Sequence, residues 1–288
     1  MGVMGIAALA KAGRGPIDPP AGPVTPTGRT LDEIYNKIPG SNGTGDGRIP
    51  IAGGSYGAGG LTISTPGSYV LTGNVSATGP TAITIITSNV TLDLNGFTVT
   101  AAGTGAAGVI SITGVPSNIT VRNGFVVGGN TGVGIGNSVG TIIEDLVISG
   151  TRQYGVASTS PSARGIVVRR CKITDVGALT TSGDGNLNIG GIFLQGNAYS
   201  VVTDNIINRL LYNGSGTPTY FGIYTYGPGT GGVVIAGNSI NIYPVLSGGT
   251  ILAGVYAPSP VTGIIRGNSV IGITPGYNFA GVDGGGNV

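Results

Sequence analysis

One seven-residue phrase, Val234-Ile235-Ala236-Gly237-Asn238-Ser239-Ile240, constrains this chain most, because the chain keeps rewriting it. Ile265-Arg266-Gly267-Asn268-Ser269-Val270 is the copy that follows. Val202-Thr203-Asp204-Asn205-Ile206-Ile207, Val168-Arg169-Arg170-Cys171-Lys172-Ile173, Ile143-Glu144-Asp145-Leu146-Val147-Ile148 and Val121-Arg122-Asn123-Gly124-Phe125-Val126 come before it. Fainter copies stand at Asn95-Gly96-Phe97 and Leu71-Thr72-Gly73-Asn74-Val75. With Asn238 as index, the equivalent positions are 74, 96, 124, 146, 171, 205, 238 and 268, at intervals of 22 to 34 residues. A β-forming unit repeated at that period cannot bury a face alone. It must stack on its neighbours, which makes a solenoid.

A second column supports the period. The pairs Gly134-Ile135, Gly155-Val156, Gly191-Ile192, Gly222-Ile223, Gly254-Val255 and Gly281-Val282 recur along the chain. One coil then reads as a Gly-Ile/Val strand, a turn, two short strands about the index residue, and a variable loop. The Val and Ile positions are expected to point inward and stack on their equivalents. The index Asn or Gly is expected at a bend that requires positive φ, which those residues tolerate. Runs of about 4–6 residues rich in β-branched side chains, such as Val90-Thr91-Leu92-Asp93-Leu94, end at Gly, Asn, Ser or Pro. Charged helix formers are scarce: Glu occurs only at Glu33 and Glu144, and Lys only at Lys11, Lys37 and Lys172.

Composition removes several functional classes. The 58 glycines of 288 residues lack a Gly-x-y period, so collagen is excluded. Only 8% of residues are charged and the net charge is +2, too little to attract nucleic acid or an anionic membrane. There is no histidine, which removes the commonest general base, the Ser-His-Asp triad and most zinc sites. Cys171 is the single cysteine, so no internal disulfide forms, and its place in the index column reads as a small stacked residue. No metal site and no cofactor are expected. No apolar run approaches the roughly 20 residues of a membrane-spanning helix.

Residues 1–29 are rich in Pro, Gly and Ala and read as a tail or linker. Within them Met1–Ala10 has the apolar character of a secretion signal without its basic start, and a clipped signal and a plain tail both remain open. Thr30-Leu31-Asp32-Glu33 has the form of a capping box and predicts a short helix over 30–38. Leu31, Ile34, Tyr35 and Ile38 share one face of it, as a cap over the open end of a solenoid needs. Pro39 to Gly60 reads as a connector, and the repeat as starting near Leu61.

Ile63-Ser64-Thr65-Pro66-Gly67-Ser68-Tyr69-Val70-Leu71-Thr72-Gly73-Asn74, then Val90 to Phe97, then Ile119-Thr120-Val121-Arg122-Asn123-Gly124, resembles the pectate-lyase-like right-handed parallel β-helix superfamily. Within it the chain is similar to uncharacterised bacterial secreted β-helix repeat proteins. The resemblance covers residues 30–288. It implies an all-β, single-domain right-handed parallel β-helix of about eight coils and a secreted or cell-surface location. It leaves activity open, since the superfamily holds lyases, hydrolases, epimerases, tailspikes and adhesins.

Stacking turns sequence columns into lines of side chains about 4.8 Å apart. An aromatic line follows the Gly-Ile/Val pairs: Phe193, Tyr224 and Tyr256, with Asp283 in the same column and Gln195 and Tyr226 two residues beyond the first two. Alternation points these side chains outward. Flat rings beside hydrogen-bonding groups suit a polysaccharide; rings that merely stack on one another give the same pattern. A charged line places Arg122, Glu144 and Arg169 in one column and Asn123, Asp145, Arg170 and Asp204 in the next. Glu144, Asp145, Arg170 and Asp204 are the candidate catalytic residues of a lyase or hydrolase, whereas alternating signs also describe a salt ladder that fixes register. A third line, Asn74, Asn205, Asn238 and Asn268, reads as a structural amide ladder. The last coil begins at Ala280 with no capping segment after it, which suggests self-association through that end. The leading expectation is a non-catalytic structural, adhesive or glycan-binding β-helix; the alternatives are a polysaccharide lyase or hydrolase and a self-assembling architectural subunit.

Overall fold

The computed structural model describes residues 47–288, apart from 104, 106, 186, 197, 228–231, 243–248, 260 and 273–274. The tail 1–29 and the helix expected over 30–38 lie outside the described residues. The described chain is a parallel β-helix: the strand pairings are all parallel, each to the strand one coil before or after. Each coil visits three faces in turn. The first face includes Gly67–Leu71, Val90–Asp93, Val167–Arg169, Val201–Thr203 and Val233–Ala236. The second includes Val75–Ala77, Thr98–Ala101, Lys172–Val176 and Ile206–Leu210. Ser117–Gly128 and Val139–Ser149 run unbroken through the bend between them and join the two faces into one 17-stranded sheet. The third face is a separate nine-stranded sheet from Leu61–Ile63 to Tyr277–Phe279. Among the described residues stacking is present from Ile49–Ile51, inside the stretch the sequence reads as a connector, a short strand that Pro50 and nearby glycines hide in the sequence.

Three internal columns build the core, one per face. Leu92, Val121, Ile143, Val168, Val202 and Ile235 stack on the first face. Val99, Val126, Ile148, Ile173, Ile207 and Ile240 stack on the second. Ile110, Val133, Val156, Ile192, Ile223 and Val255 stack on the third. All are buried. β-branched side chains suit this arrangement, since each is pinned to one rotamer and meets a near copy of itself above and below.

At the tight bend between first and second faces, the index column is Phe97, Gly124, Leu146, Cys171, Asn205, Asn238 and Asn268. Its early members sit one residue away from the positions counted in the sequence. Asn74 stands opposite Thr98 and accepts that residue's amide hydrogen at 2.9 Å instead of joining the ladder. The positive φ also falls one residue earlier than expected, on Asn123, Asp145, Arg170, Asp204, Gly237 and Gly267. The index residue turns inward. The Asn205 and Asn238 side-chain amides each donate to the next ladder oxygen, Asn238 Oδ1 and Asn268 Oδ1, both at 2.9 Å. The same oxygens accept the main-chain N–H of Asn205 and Asn238 at 3.0 Å. Asn287 continues the line by accepting from Asn268. Each buried amide also donates to a carbonyl one coil back, Val168, Val202 or Ile235.

The glycine column answers to space rather than to dihedral angle. A Cβ on Gly132, Gly155, Gly191, Gly222 or Gly254 would lie 2.3–2.6 Å from the Ile or Val of the second face that packs beneath it. In the sequence the fourth coil's member reads as Gly134-Ile135 and the last as Gly281-Val282; the structure places Gly132-Val133 and Gly276-Tyr277 there.

Replacing Asn238 by Ala strands the buried Asn205 N–H and leaves the Val202 carbonyl without its amide donor. We expect a loss of roughly 2–4 kcal/mol in urea unfolding. A loss below about 1 kcal/mol would show the ladder to be incidental.

Candidate functional site

The charged column is joined coil to coil by ion pairs. Asp93 pairs with Arg48 at 3.1 Å and Arg122 at 3.2 Å. Glu144 accepts from Arg169 at 2.7 Å and Arg170 at 2.9 Å, and Arg170 also binds Asp145 at 2.8 Å. The Arg170 hydrogen bond holds the Asp145 carboxyl below the usual carboxylate range, and Asp145 in return raises the Arg170 guanidinium. Asp204 lies one coil beyond Arg170, at a left-handed bend position with φ of 57°. The structure joins Glu144, Asp145 and Arg170 by ion pairs, and among the described residues Asp204, beside Arg170 in the same column, takes no part in them. Cys171 lies buried beside them, and its thiol faces the Ile143 carbonyl at 3.7 Å, the place the Asn amides take in later coils. Burial pushes that thiol up to about 12.

The aromatic line lies on the outer side of the third face. Phe193, Tyr224 and Tyr256 stand in register on successive coils, with Gln195 opposite Tyr226. Two rings not singled out in the sequence complete the cluster. Phe221 is fully buried beneath Phe193 and Tyr224, and Tyr154 stacks on Phe193 with centroids 5.3 Å apart. Gly190 gives Phe221 its room, since a Cβ there would fall 1.9 Å from the ring. Tyr224 and Tyr256 meet edge to face at 4.9 Å, and Tyr226 is 46% exposed. Burial raises the Tyr154 and Tyr224 hydroxyls, so both rings stay neutral at ordinary pH. Asp283 is not part of this line. It pairs with Ile265 on the first face, and Asn278 takes the place beside Tyr256. The chain completes its third-face strand at Tyr277–Phe279, so Gly281-Val282 already belongs to the next face.

Upstream, the same outer column shrinks to Ser111, Gly134 and Ala157. These small residues floor a cleft of about 320 Å³, lined also by Thr113, Thr131 and Thr159. Ala157 joins cleft to cluster, packing with Tyr154 and Phe221. Beside the cluster, Arg152 binds the buried Asp184, which caps the Thr181 amide at 2.7 Å, and Tyr212 donates to the Asp184 carbonyl at 3.0 Å. The Arg152 hydrogen bond keeps Asp184 below its ordinary range. These contacts tie the loop after Lys172–Val176 to the loop after Ile206–Leu210. Among the described residues no cluster of three or more His, Cys, Asp or Glu suited to a metal occurs, and no helix is long and apolar enough to cross a membrane.

No family model and no curated protein matches the chain. Among solved structures it is similar to an alginate lyase from Paenibacillus sp. str. FPU-7, at 12% identity and a TM-score of 0.42, covering 81% of this chain and 98% of that one. It is also similar to the catalytic domain of a GH87 α-1,3-glucanase in complex with nigerose, at 13% identity and a TM-score of 0.40, covering 94% and 70%. The likeness is one of fold alone.

Asp145 and Asp184 are both more acidic folded than unfolded, so their pairing stabilises the fold above the ordinary carboxylate value of about 3.9 and is lost as pH falls through their lowered values. The melting temperature should hold from pH 7 to about 4 and then fall, and Asp145→Asn/Asp184→Asn should fall less over that acid range; parallel curves would contradict the assignment. Cys171 should resist thiol reagents at pH 8 in the native protein and react once unfolded in guanidinium. Fast native labelling would place it outside the core.

Proposed function

We propose that the protein binds polysaccharide along the outer side of its third face, as a recognition surface whose chemistry lies in the rings. The observation that carries this is the partly open aromatic cluster, fixed by its own packing, joined at Ala157 to a cleft whose mostly apolar lining includes Ser111, Thr113, Thr131 and Thr159. Ring faces pack against sugar C–H groups, and rings already held against each other lose little freedom on binding. The charged column offers less to a substrate. Glu144, Asp145 and Arg170 satisfy one another, and a general acid or nucleophile needs a carboxyl group free to exchange protons or attack. A secreted or cell-surface location accords with such a ligand.

The test is binding to immobilised polysaccharides, with soluble products measured in parallel. The Tyr224→Ala/Tyr256→Ala protein should bind about 30-fold more weakly or worse while remaining folded, at a melting temperature lowered by the lost ring packing. Tyr226→Ala, which removes an exposed ring, should weaken binding less. Unchanged binding in the double variant would remove the aromatic face from consideration. Product release abolished by Glu144→Gln or Asp145→Asn would assign a cleaving enzyme instead.

A further inference from the structure

We infer that the ligand of the third face is an uncharged glycan and that this surface discriminates against uronate or sulfated chains. This inference rests on the glycan-binding function proposed above and adds the chemical class. It stands on how charge is divided between the sheets. The nine strands of the third face contain no Asp, Glu, Lys or Arg. The 17-stranded sheet carries Asp93, Arg122, Glu144, Asp145, Arg169 and Arg266 among its strand residues. Both sheets come from the same repeats, so the separation is not a consequence of a charge-poor composition alone.

The consequence for a ligand is a matter of desolvation. A polyuronate brings one carboxylate per sugar, and a sulfated chain brings sulfates. Seated on this face, each would lose hydration with no cation opposite, and an uncompensated buried charge is among the costliest arrangements a site can hold. The cations nearest along the chain lie at its edges. Arg152 is already bound to Asp184, and Arg164 is exposed on the segment after Tyr154–Ser158. What the face does offer is neutral: the Ser111, Thr113, Thr131 and Thr159 hydroxyls in the cleft, and Gln195 beside the rings. Hydroxyl and amide groups match the hydroxyls of a neutral sugar, which are both donors and acceptors.

The experiment measures affinity of the full chain for dextran and a neutral galactan against polygalacturonate and alginate of similar length, in about 0.02 and 0.5 M NaCl. Wild type and Tyr224→Ala/Tyr256→Ala are compared throughout. The expected result is a neutral glycan bound at least about tenfold more tightly than either uronate, tyrosine-dependent, and changed less than about twofold by salt, because no ion pair is screened. Tyrosine-dependent binding that favours a uronate would overturn the neutral class while leaving the glycan face standing. Binding of any chain that is indifferent to the tyrosines, or no binding to any of the four, would overturn both.

Discussion

Every residue in this fold must tolerate its own equivalent about 4.8 Å away, above and below, and that single requirement organises the rest. Parallel in-register pairing leaves no freedom to offset a poor neighbour by sliding, because a slip of one residue would turn each buried column outward. Aliphatic columns meet the requirement through dispersion and burial. Asparagine meets it differently: its side chain carries both a donor and an acceptor, so a stack of Asn205, Asn238 and Asn268 satisfies itself inside the core. A charged column can meet it only by alternating sign, as Arg122, Glu144 and Arg169 do. An aromatic column meets it by tilting successive rings edge to face, as Tyr224 and Tyr256 do.

These solutions differ in how visibly they are written. The fold was legible because Asn205, Asn238 and Asn268 keep both identity and flanking Val and Ile. Where identity fades, counting failed by one residue: Gly73-Asn74 looks like Gly237-Asn238, yet Asn74 sits beyond the bend, because the first coils turn with different lengths. Asp283 was misplaced because Gly-Val dipeptides serve the third face in one coil and the first in another. Tyr154 and Phe221 escaped for a different reason. Simple alternation fails at Gly155 and Gly222, where the glycine and the Val or Ile after it both face the core, so the residue before the glycine points out. An aromatic immediately before Gly155 or Gly222 was the available signal.

The division of labour between the sheets ties architecture to the proposed function. Ion pairs at the first bend hold register where Asp145 and Arg170 must adopt a left-handed backbone, a conformation that disfavours such side chains. Charges committed to one another there leave the third face to hydroxyls, amides and rings. The loops after Lys172–Val176 and Ile206–Leu210 are tied to each other and to Arg152 through Asp184 and Tyr212, so their arrangement is set before any ligand arrives.

The outer column of the third face changes along the axis, from Ser111, Gly134 and Ala157 to Phe193, Tyr224 and Tyr256. A repeat of identical coils would offer the same surface at every step along the axis. This one rises from a low floor to an aromatic step, so it has a front and a back. A polymer laid along it meets unlike surroundings at its two ends, so the direction in which the coils advance is displayed in the side chains of this face as well as in the parallel backbone beneath them.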